Sequence, residues 1–198
     1  MKRYTKNEVL IVSRKNKYSG FFSIDEIVLK HKLFDGSTSQ EIKRELISRG
    51  KTAGVLLYDE EQDKVALIEQ FRLGAIEHHP HPWLYEIVLG YIDNNDSPSD
   101  TVKREALEEA NVKINKLIPM HSFMVGPGGS DGICHLFLGL CNITEDTVGV
   151  YGLEDENEDI KVHVFTREEA YAMLESGEIN NATTMLALQW LELNKGKI

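Results

Sequence analysis

The feature that most constrains the fold is a strongly capped helix set between apolar, strand-like runs. It lies in DSPSDTVKREALEEA, residues 96–110, where Ser97 can cap the helix, Pro98 fits its first position and Asp100 completes a capping-box pattern. The run WLYEIVLGYI before it is predicted to be a strand that ends at Gly90. The runs after it, MHSFMVG, CHLFLGLC and IKVHVFT, are also predicted to be strands. A helix with strands on both sides predicts an α/β protein.

Two further helices are predicted near the C-terminus. Thr166 and Glu169 form a second capping-box pattern, which opens the helix REEAYAMLESG. The segment NATTMLALQWLELN is predicted to be a final amphipathic helix. Helices in the middle and at the end of a series of strands predict an α/β sandwich, in which helices pack on a mixed sheet.

The first 50 residues differ in character from the rest. EVLIVSR, FFSIDEIVLKHKLF and EIKRELISRG are β-prone, and DGS at residues 35–37 is a turn signal. From about residue 51, TAGVLLYD and KVALIEQF are joined by the polar turn DEEQDK, which predicts a hairpin in a central sheet. We therefore predict a small N-terminal antiparallel β-sheet unit at residues 1–50 and an α/β domain at residues 51–198.

Charge and composition exclude several classes of protein. The net charge of −10 repels phosphate backbones, so we expect no nucleic-acid partner. The start MKRYTKNEVLIV is too short in apolar residues for a signal peptide, and no segment is long enough to span a bilayer. Cys134 and Cys141 lack zinc-finger spacing, and we interpret them as buried thiols. These features predict a cytoplasmic protein with no membrane partner.

The capped helix carries an unusual concentration of acid. At about 100° per residue, its apolar residues are predicted on one side: Val102, Ala106, Leu107 and Ala110. Three glutamates fall at the margin of that side: Glu105, Glu108 and Glu109. Arg104 can pair with Glu108 at i, i+4. One interpretation is a solvated acidic face; the other is a Mg²⁺ site, because clustered carboxylates and a backbone carbonyl near Gly90 are the oxygen ligands that Mg²⁺ prefers.

These residues carry a resemblance to a known family. Gly90, Asp96, the run REALEE at residues 104–109 and Val112 together resemble the Nudix box, a signature with fixed positions over 23 residues. Two positions depart from it: Asp96 stands where the family has glutamate, and Asn111 where it has glycine. Asp96 keeps the charge with a shorter reach, and Asn111 can adopt the left-handed conformation of a helix end. The resemblance implies an α/β/α sandwich fold and a hydrolase of nucleoside diphosphates linked to another group.

The rest of the chain resembles the bacterial ADP-ribose pyrophosphatases over nearly its full length. The similar segments are SGFFSID, LKHKLFDG, EIKRE, VLLYD, LIEQFR, PGGS, GLEDENEDIKVHV and NNATTMLALQWLEL. The resemblance implies hydrolysis of ADP-ribose to AMP and ribose 5-phosphate. GDP-mannose hydrolases share the QFR and PGG elements, so another nucleotide sugar stays an alternative. A non-catalytic nucleotide sensor is a third, although such domains usually lack the glutamates that this chain keeps.

The resemblance also implies roles for single residues. Mg²⁺, or Mn²⁺, would be bound by the carbonyl of Leu89 and three carboxylates, those of Glu105, Glu109 and Glu158. In the loop GLEDENEDI, Glu156 resembles the general base, and Glu108 is expected to support the cluster. Residues expected to contact the substrate are Phe21, Phe22, Arg44, Glu45, Arg49, Arg72, Tyr91, Gly126, Pro127 and Gly128.

Two implications concern the assembly and the specificity of the site. In the family the N-terminal sheet is exchanged between subunits, which implies a homodimer. After PGG the family often has a glutamate that holds the terminal ribose, but Gly132 occupies that position, with Asp131 one step early. The histidine-rich segment at residues 77–81 is interpreted as an exposed loop without a metal.

Overall fold

The computed structural model describes residues 3–48, 50–93 and 95–198, and within these ranges the chain forms eleven strands and three α-helices. The strands are Val9–Ser19 (β1), Ser23–His31 (β2), Ile42–Ser48 (β3), Lys51–Asp59 (β4), Lys64–Phe71 (β5), Trp83–Glu86 (β6), Val88–Tyr91 (β7), Ile114–Met124 (β8), Ile133–Cys141 (β9), Gly149–Tyr151 (β10) and Ile160–Thr166 (β11). The helices are Pro98–Ala110 (α1), Arg167–Ser176 (α2) and Ala182–Asn194 (α3).

Contacts divide the chain into two compact units. The first contains residues 1–50 and 124–133, and the second contains residues 51–123 and 134–198. The sequence analysis assigned residues 124–133 to the second unit, whereas the contacts group them with the first. A backbone hydrogen bond from Ile47 N–H to the carbonyl of Gly129, 2.8 Å long, joins this segment to β3.

The first unit is built on a three-stranded antiparallel sheet in the order β1-β2-β3. Lys15 of β1 lies opposite Glu26 of β2, and Glu26 lies opposite Glu45 of β3. The predicted N-terminal antiparallel sheet is therefore confirmed. Strand β1 is longer than EVLIVSR predicted, and its residues are almost all exposed.

The second unit has a mixed sheet with helices on both faces. The order of its main strands is β10-β11-β5-β4-β9-β8, with β6 paired to β5 and β7 paired to β4. Because side chains alternate along β4, Val55 and Leu57 pack with α1 whereas Leu56 and Tyr58 pack with α2 and α3. A strand covered on both faces becomes a continuous apolar run, as TAGVLLYD is. The predicted α/β/α sandwich is confirmed.

The segment WLYEIVLGYI is two strands, not the single strand predicted from its sequence. β6 pairs with β5, and β7 pairs with β4. Between them the N–H of Ile87 donates to Oγ1 of Thr184 on α3, at 3.1 Å. At this residue the chain therefore passes from pairing with β5 to pairing with β4. The second strand ends at Tyr91, one residue beyond the predicted end at Gly90.

Strand β8 begins at Ile114, six residues before the predicted start at Met120. It is the edge strand of the sheet, where polar residues such as Asn115 can face solvent, so its first half lacks a strong apolar pattern. Cys134 and Cys141 are buried free thiols, as predicted. None of the helices in the described ranges has the length and apolar character needed to cross a membrane.

Candidate active site

Helix α1 begins and ends through local chemistry. Oγ of Ser97 accepts a hydrogen bond from the N–H of Asp100 (3.2 Å), and Pro98 occupies the first turn. The Asp100 carboxylate accepts from the Ser97 hydroxyl at 2.6 Å, so this short side chain does not complete the reciprocal half of the predicted capping box. Asn111 ends the helix in the left-handed conformation, with φ 50° and ψ 34°.

One face of α1 is buried, and a glutamate is part of it. Val102, Ala106 and Ala110 are fully buried, and Glu109 is only 3% exposed. The placement of Leu107 on the buried side was wrong: it lies about 140° from Val102 at 100° per residue, and its side chain is exposed. A buried Glu109 contradicts the interpretation of α1 as a solvated acidic face.

The strand β7 brings its backbone directly against these carboxylates. At Gly90, which is buried, an added Cβ would lie 1.9 Å from Oε1 of Glu105. The N–H of the preceding residue, Leu89, donates to Oε2 of Glu109 at 3.4 Å. Glycine at position 90 is therefore required for Glu105 to approach the strand.

Repulsion and burial act together on the carboxylates. Burial, and after it the negative charges of Glu105 and Glu158, together raise the pKa of Glu109 to about 9, against smaller opposing effects of the Leu89 N–H and Arg72. Burial also raises the pKa of Glu105, which Arg104 opposes. Among the described residues, Glu109 has no ion-pair partner within 4 Å. Such a cluster favours a bound cation.

Arg104 supplies positive charge to some of these carboxylates. Its guanidinium pairs with Glu105 at 2.9 Å and with Glu108 at 2.8 Å. Asp96, at the position where the Nudix box has glutamate, lies 3.8 Å from Nε, and Asp93 lies 3.9 Å from Nη2. Asp93 had no predicted role. Arg104 thus pairs with four carboxylates, two in α1 and two in the loop before it.

The donor set fits a divalent cation. Across residues 3–48, 50–93 and 95–198, no three Asp, Glu, His or Cys side chains form a group that could hold a metal ion. Glu105 is paired with Arg104 at 2.9 Å. Glu105, Glu109 and Glu158 nevertheless repel one another, and Oε1 of Glu105 lies close to Gly90. Oxygen donors with uncompensated negative charge match Mg²⁺ or Mn²⁺.

The acidic loop after β10 is attached to α1. The N–H of Gly152 donates to the carbonyl of Glu108 at 3.3 Å. A 3₁₀ turn at Glu154–Glu156 follows, and it ends at Asn157 in the left-handed conformation. Glu156 is exposed, whereas Glu158 is half-buried and accepts a hydrogen bond from the N–H of Leu153 at 3.2 Å. The two predicted functional glutamates of this loop therefore have different surroundings.

Arg72 approaches the carboxylates from the sheet. It follows β5, and its N–H donates to the carbonyl of Pro82 at 2.8 Å. Its Nε donates to Oε2 of Glu86 at 2.7 Å. Tyr91, at the end of β7, is exposed. Glu86 was not among the predicted site residues, although a lone charge inside the apolar run WLYEIVLGYI is a usable signal.

The remaining predicted substrate residues belong to the first unit. Phe21 is 80% exposed and meets Phe22 edge to face, with ring centroids 4.9 Å apart. Arg44 and Glu45 are exposed on β3. Arg49 lies outside the described residues.

The PGG segment forms a closed turn in the same unit. The carbonyl of Gly126 accepts from the N–H groups of Gly129 (3.1 Å) and Ser130 (2.8 Å), with Pro127 and Gly128 exposed between them. Oδ2 of Asp131 accepts from the hydroxyl of Ser48 at 2.8 Å.

The histidine-rich loop is held by its own contacts. Nδ1 of His79 lies 2.5 Å from the carbonyl of His81 and 3.1 Å from its backbone nitrogen. His78 and His81 are exposed, and His79 is half-buried.

A glutamate helix packed on a glycine of a mixed sheet, inside an α/β/α sandwich, defines the class of Nudix proteins. Residues 48–188 match the NUDIX domain, and the chain belongs to that family. It is 43% identical over 191 residues to the ADP-ribose pyrophosphatase of Escherichia coli (strain K12), covering 96% of this chain and 91% of that protein. It is 38% identical over 201 residues to the ADP-ribose pyrophosphatase of Haemophilus influenzae, covering 100% and 92%.

Two further likenesses are more distant. The chain is 32% identical over 161 residues to the GDP-mannose pyrophosphatase of Yersinia enterocolitica, covering 81% of this chain and 83% of that protein. A solved crystal structure of an ADP compounds hydrolase matches with a TM-score of 0.74 over 98% of each chain. At 18% identity, this structural match shows the fold alone.

Proposed function

We propose that this protein is a divalent-metal-dependent diphosphatase that hydrolyses ADP-ribose to AMP and ribose 5-phosphate. The observation that carries this proposal is the buried carboxylate of Glu109, which faces the like charges of Glu105 and Glu158 and needs a cation when ionised. The choice of substrate is supported by the 38% and 43% identity to ADP-ribose pyrophosphatases over nearly the whole chain.

The metal would be held by oxygen donors from three parts of the second unit. These are Glu105 and Glu109 of α1, Glu158 of the acidic loop and the carbonyl of Leu89. Mg²⁺ suits this set best, and Mn²⁺ can replace it. When bound, the cation neutralises the diphosphate and makes water a stronger nucleophile. The chain contributes the close approach at Gly90, which brings carboxylates and backbone together.

The general base is assigned to Glu156. In the part of the chain that the structure describes, Glu156 has no ion pair, and its carboxylate is exposed two residues before Glu158. A carboxylate in this position can take the proton of a water that attacks phosphorus in line. Glu108 is paired with Arg104 at 2.8 Å, so its carboxylate is engaged by that guanidinium and not free to meet a water. We therefore assign Glu108 a supporting role.

The substrate contacts are assigned by charge and exposure. Arg72 would bind the diphosphate, because its cationic charge is felt by Glu109 and its side chain is 41% exposed. Tyr91 is exposed at the end of the same strand as Leu89. The first unit would supply the surface for adenine and its ribose: Phe21, Phe22, Arg44, Glu45, Arg49 and the turn at Gly126, Pro127 and Gly128.

The active form is proposed to be a cytoplasmic homodimer that exchanges its N-terminal sheets. Strand β1 supports this, because four consecutive apolar residues are exposed on it: Val9, Leu10, Ile11 and Val12. Exposed apolar runs of this kind are typical of interaction surfaces. The two reduced, buried cysteines are consistent with the cytoplasm.

Hydrolysis of GDP-mannose or another nucleotide sugar is the second candidate. It is favoured by the 32% identity to a GDP-mannose pyrophosphatase and by Gly132, which stands where a ribose-binding glutamate is expected. Asp131 does not simply replace that glutamate, because its carboxylate accepts from Ser48.

A panel of diphosphates separates these candidates. ADP-ribose, GDP-mannose and other nucleotide sugars would be incubated with the protein and Mg²⁺, and release of AMP or GMP would be measured. We expect kcat/KM for ADP-ribose to exceed that for GDP-mannose by about 100-fold or more. A preference for GDP-mannose would establish the second candidate, and no hydrolysis of any compound would leave only a nucleotide sensor.

A further inference from the structure

Glu86 has no role in the proposed mechanism, yet its carboxylate lies beside Arg72, the arginine proposed to bind the diphosphate. Glu86 is on β6, and its side chain is 15% exposed. Its Oε2 accepts from Nε of Arg72 at 2.7 Å. Burial raises the pKa of Glu86 and Arg72 opposes that effect. A buried charge of this kind is costly unless it is paired, so the contact fixes both side chains.

The sheet register places Glu86 on the same face as the glutamate helix. Glu86 lies opposite Ile68 on β5, and opposite residues in an antiparallel pair point to the same face. Ile68 packs in the cluster that contains Val102, Ala106 and Ala110 of α1. Glu86 and Arg72 are therefore on the side of the sheet that carries the proposed metal ligands.

The point of contact on Arg72 decides what the rest of the guanidinium can do. Glu86 accepts from Nε, so the two terminal nitrogens, with four N–H donors, stay available for other anions. Arg72 is also near enough for its charge to lower the pKa of Glu109. A guanidinium that Glu86 does not hold can pair with the glutamates of α1, as Arg104 does with Glu105 and Glu108.

We propose that Glu86 is a positioning residue for Arg72: it holds Nε so that the terminal nitrogens face the diphosphate, and it keeps the guanidinium away from Glu109. The inference rests on the proposed function, since it needs a diphosphate substrate and a metal at Glu109. Two anions compete for Arg72: the diphosphate of the substrate and the carboxylate of Glu109 in the metal site. Glu86 would direct Arg72 toward the diphosphate. Loss of Glu86 would then weaken substrate binding and metal activation together.

The test is a double-mutant cycle on binding of α,β-methylene ADP-ribose, a non-hydrolysable analogue, measured by calorimetry with Mg²⁺. The variants are E86A, R72A and E86A/R72A. We expect E86A to raise Kd about 10-fold and R72A at least as much, while the double variant binds no worse than R72A. The Mg²⁺ concentration for half-maximal activity should rise in E86A and return toward the wild-type value in the double variant.

Two controls keep the outcome decisive. E69A removes a half-buried glutamate from the neighbouring strand, where Glu69 contacts His163 on the other face, and should bind the analogue normally. If E86A does not fold, E86L enters the same cycle, because it keeps the bulk and removes the acceptor for Nε of Arg72. Wild-type affinity in E86A or E86L, or effects that add in the double variant, would overturn the inference. Failure of the wild-type protein to bind the analogue would overturn the proposed function itself.

Discussion

Gly90 and Glu105 are packed so closely that a Cβ on residue 90 would lie 1.9 Å from the Oε1 atom of Glu105. Atoms at that separation overlap, so a side chain at position 90 and this position of Glu105 exclude each other. The strand and the helix are thereby matched to each other at the point where the metal is proposed to bind.

Replacing Gly90 with alanine should displace Glu105 and lower kcat/KM for ADP-ribose by about 100-fold or more, because the metal loses a correctly placed ligand. Steady-state kinetics at saturating Mg²⁺ would measure this. Gly74→Ala is the matched control, since a Cβ there meets nothing within 4 Å, and it should keep wild-type activity. Full activity in Gly90→Ala would show that the close approach has no role.

Glu109→Gln should abolish activity and yet stabilise the metal-free protein. Since burial raises the folded-state pKa of Glu109 from 4.5 to about 9, the metal-free fold loses stability as the pH rises through that interval. Glutamine carries no charge, so at about pH 8 in EDTA the free energy of unfolding of the variant should exceed that of the wild-type protein by roughly 2–4 kcal/mol.

Denaturant unfolding at several pH values, with EDTA and with Mg²⁺, would measure this. Mg²⁺ should raise the free energy of unfolding of the wild-type protein and not that of Glu109→Gln. Glu60→Gln is an exposed control in the β4–β5 turn and should behave as wild type. Equal pH dependence of Glu109→Gln and wild type in EDTA would contradict the buried-charge account.

Glu156→Gln should reduce kcat by about 100- to 10,000-fold while substrate affinity stays near the wild-type value, because only proton removal is lost. Glu154→Gln, at the other end of the same 3₁₀ turn, is the matched control and should retain activity. Single-turnover kinetics would separate chemistry from binding. Wild-type turnover in Glu156→Gln would move the role of base to Glu108 or Glu109.

Local signals in the sequence were sufficient where the structure depends on neighbours along the chain. Ser97 and Asn111 set the ends of α1 through their own side chains and backbone conformation, and both were predictable. The break at Ile87 was not, because it depends on Thr184, which is 97 residues away. The contact between Arg72 and Glu86 depends on the register of β5 and β6, which no spacing in the sequence encodes.

We expect the exposed apolar strand β1 to form part of the proposed dimer interface. Substituting Leu10 and Val12 together with lysine should disrupt it and lower activity by about 10-fold or more, because both side chains are exposed and apolar on this strand. Analytical ultracentrifugation combined with activity assays would measure both effects. Leu193→Lys charges an exposed residue of α3 and should remain dimeric. A stable monomer with full activity would refute the shared site.

The central claim is that a divalent cation joins the carboxylates around Gly90 to a diphosphate. A crystal structure of the protein with Mg²⁺ and α,β-methylene ADP-ribose tests it most directly. We predict magnesium bound by Glu105, Glu109, Glu158 and the carbonyl of Leu89, with the ion also touching the phosphates. A complex in which these side chains point to solvent and no ion lies near them would contradict the account.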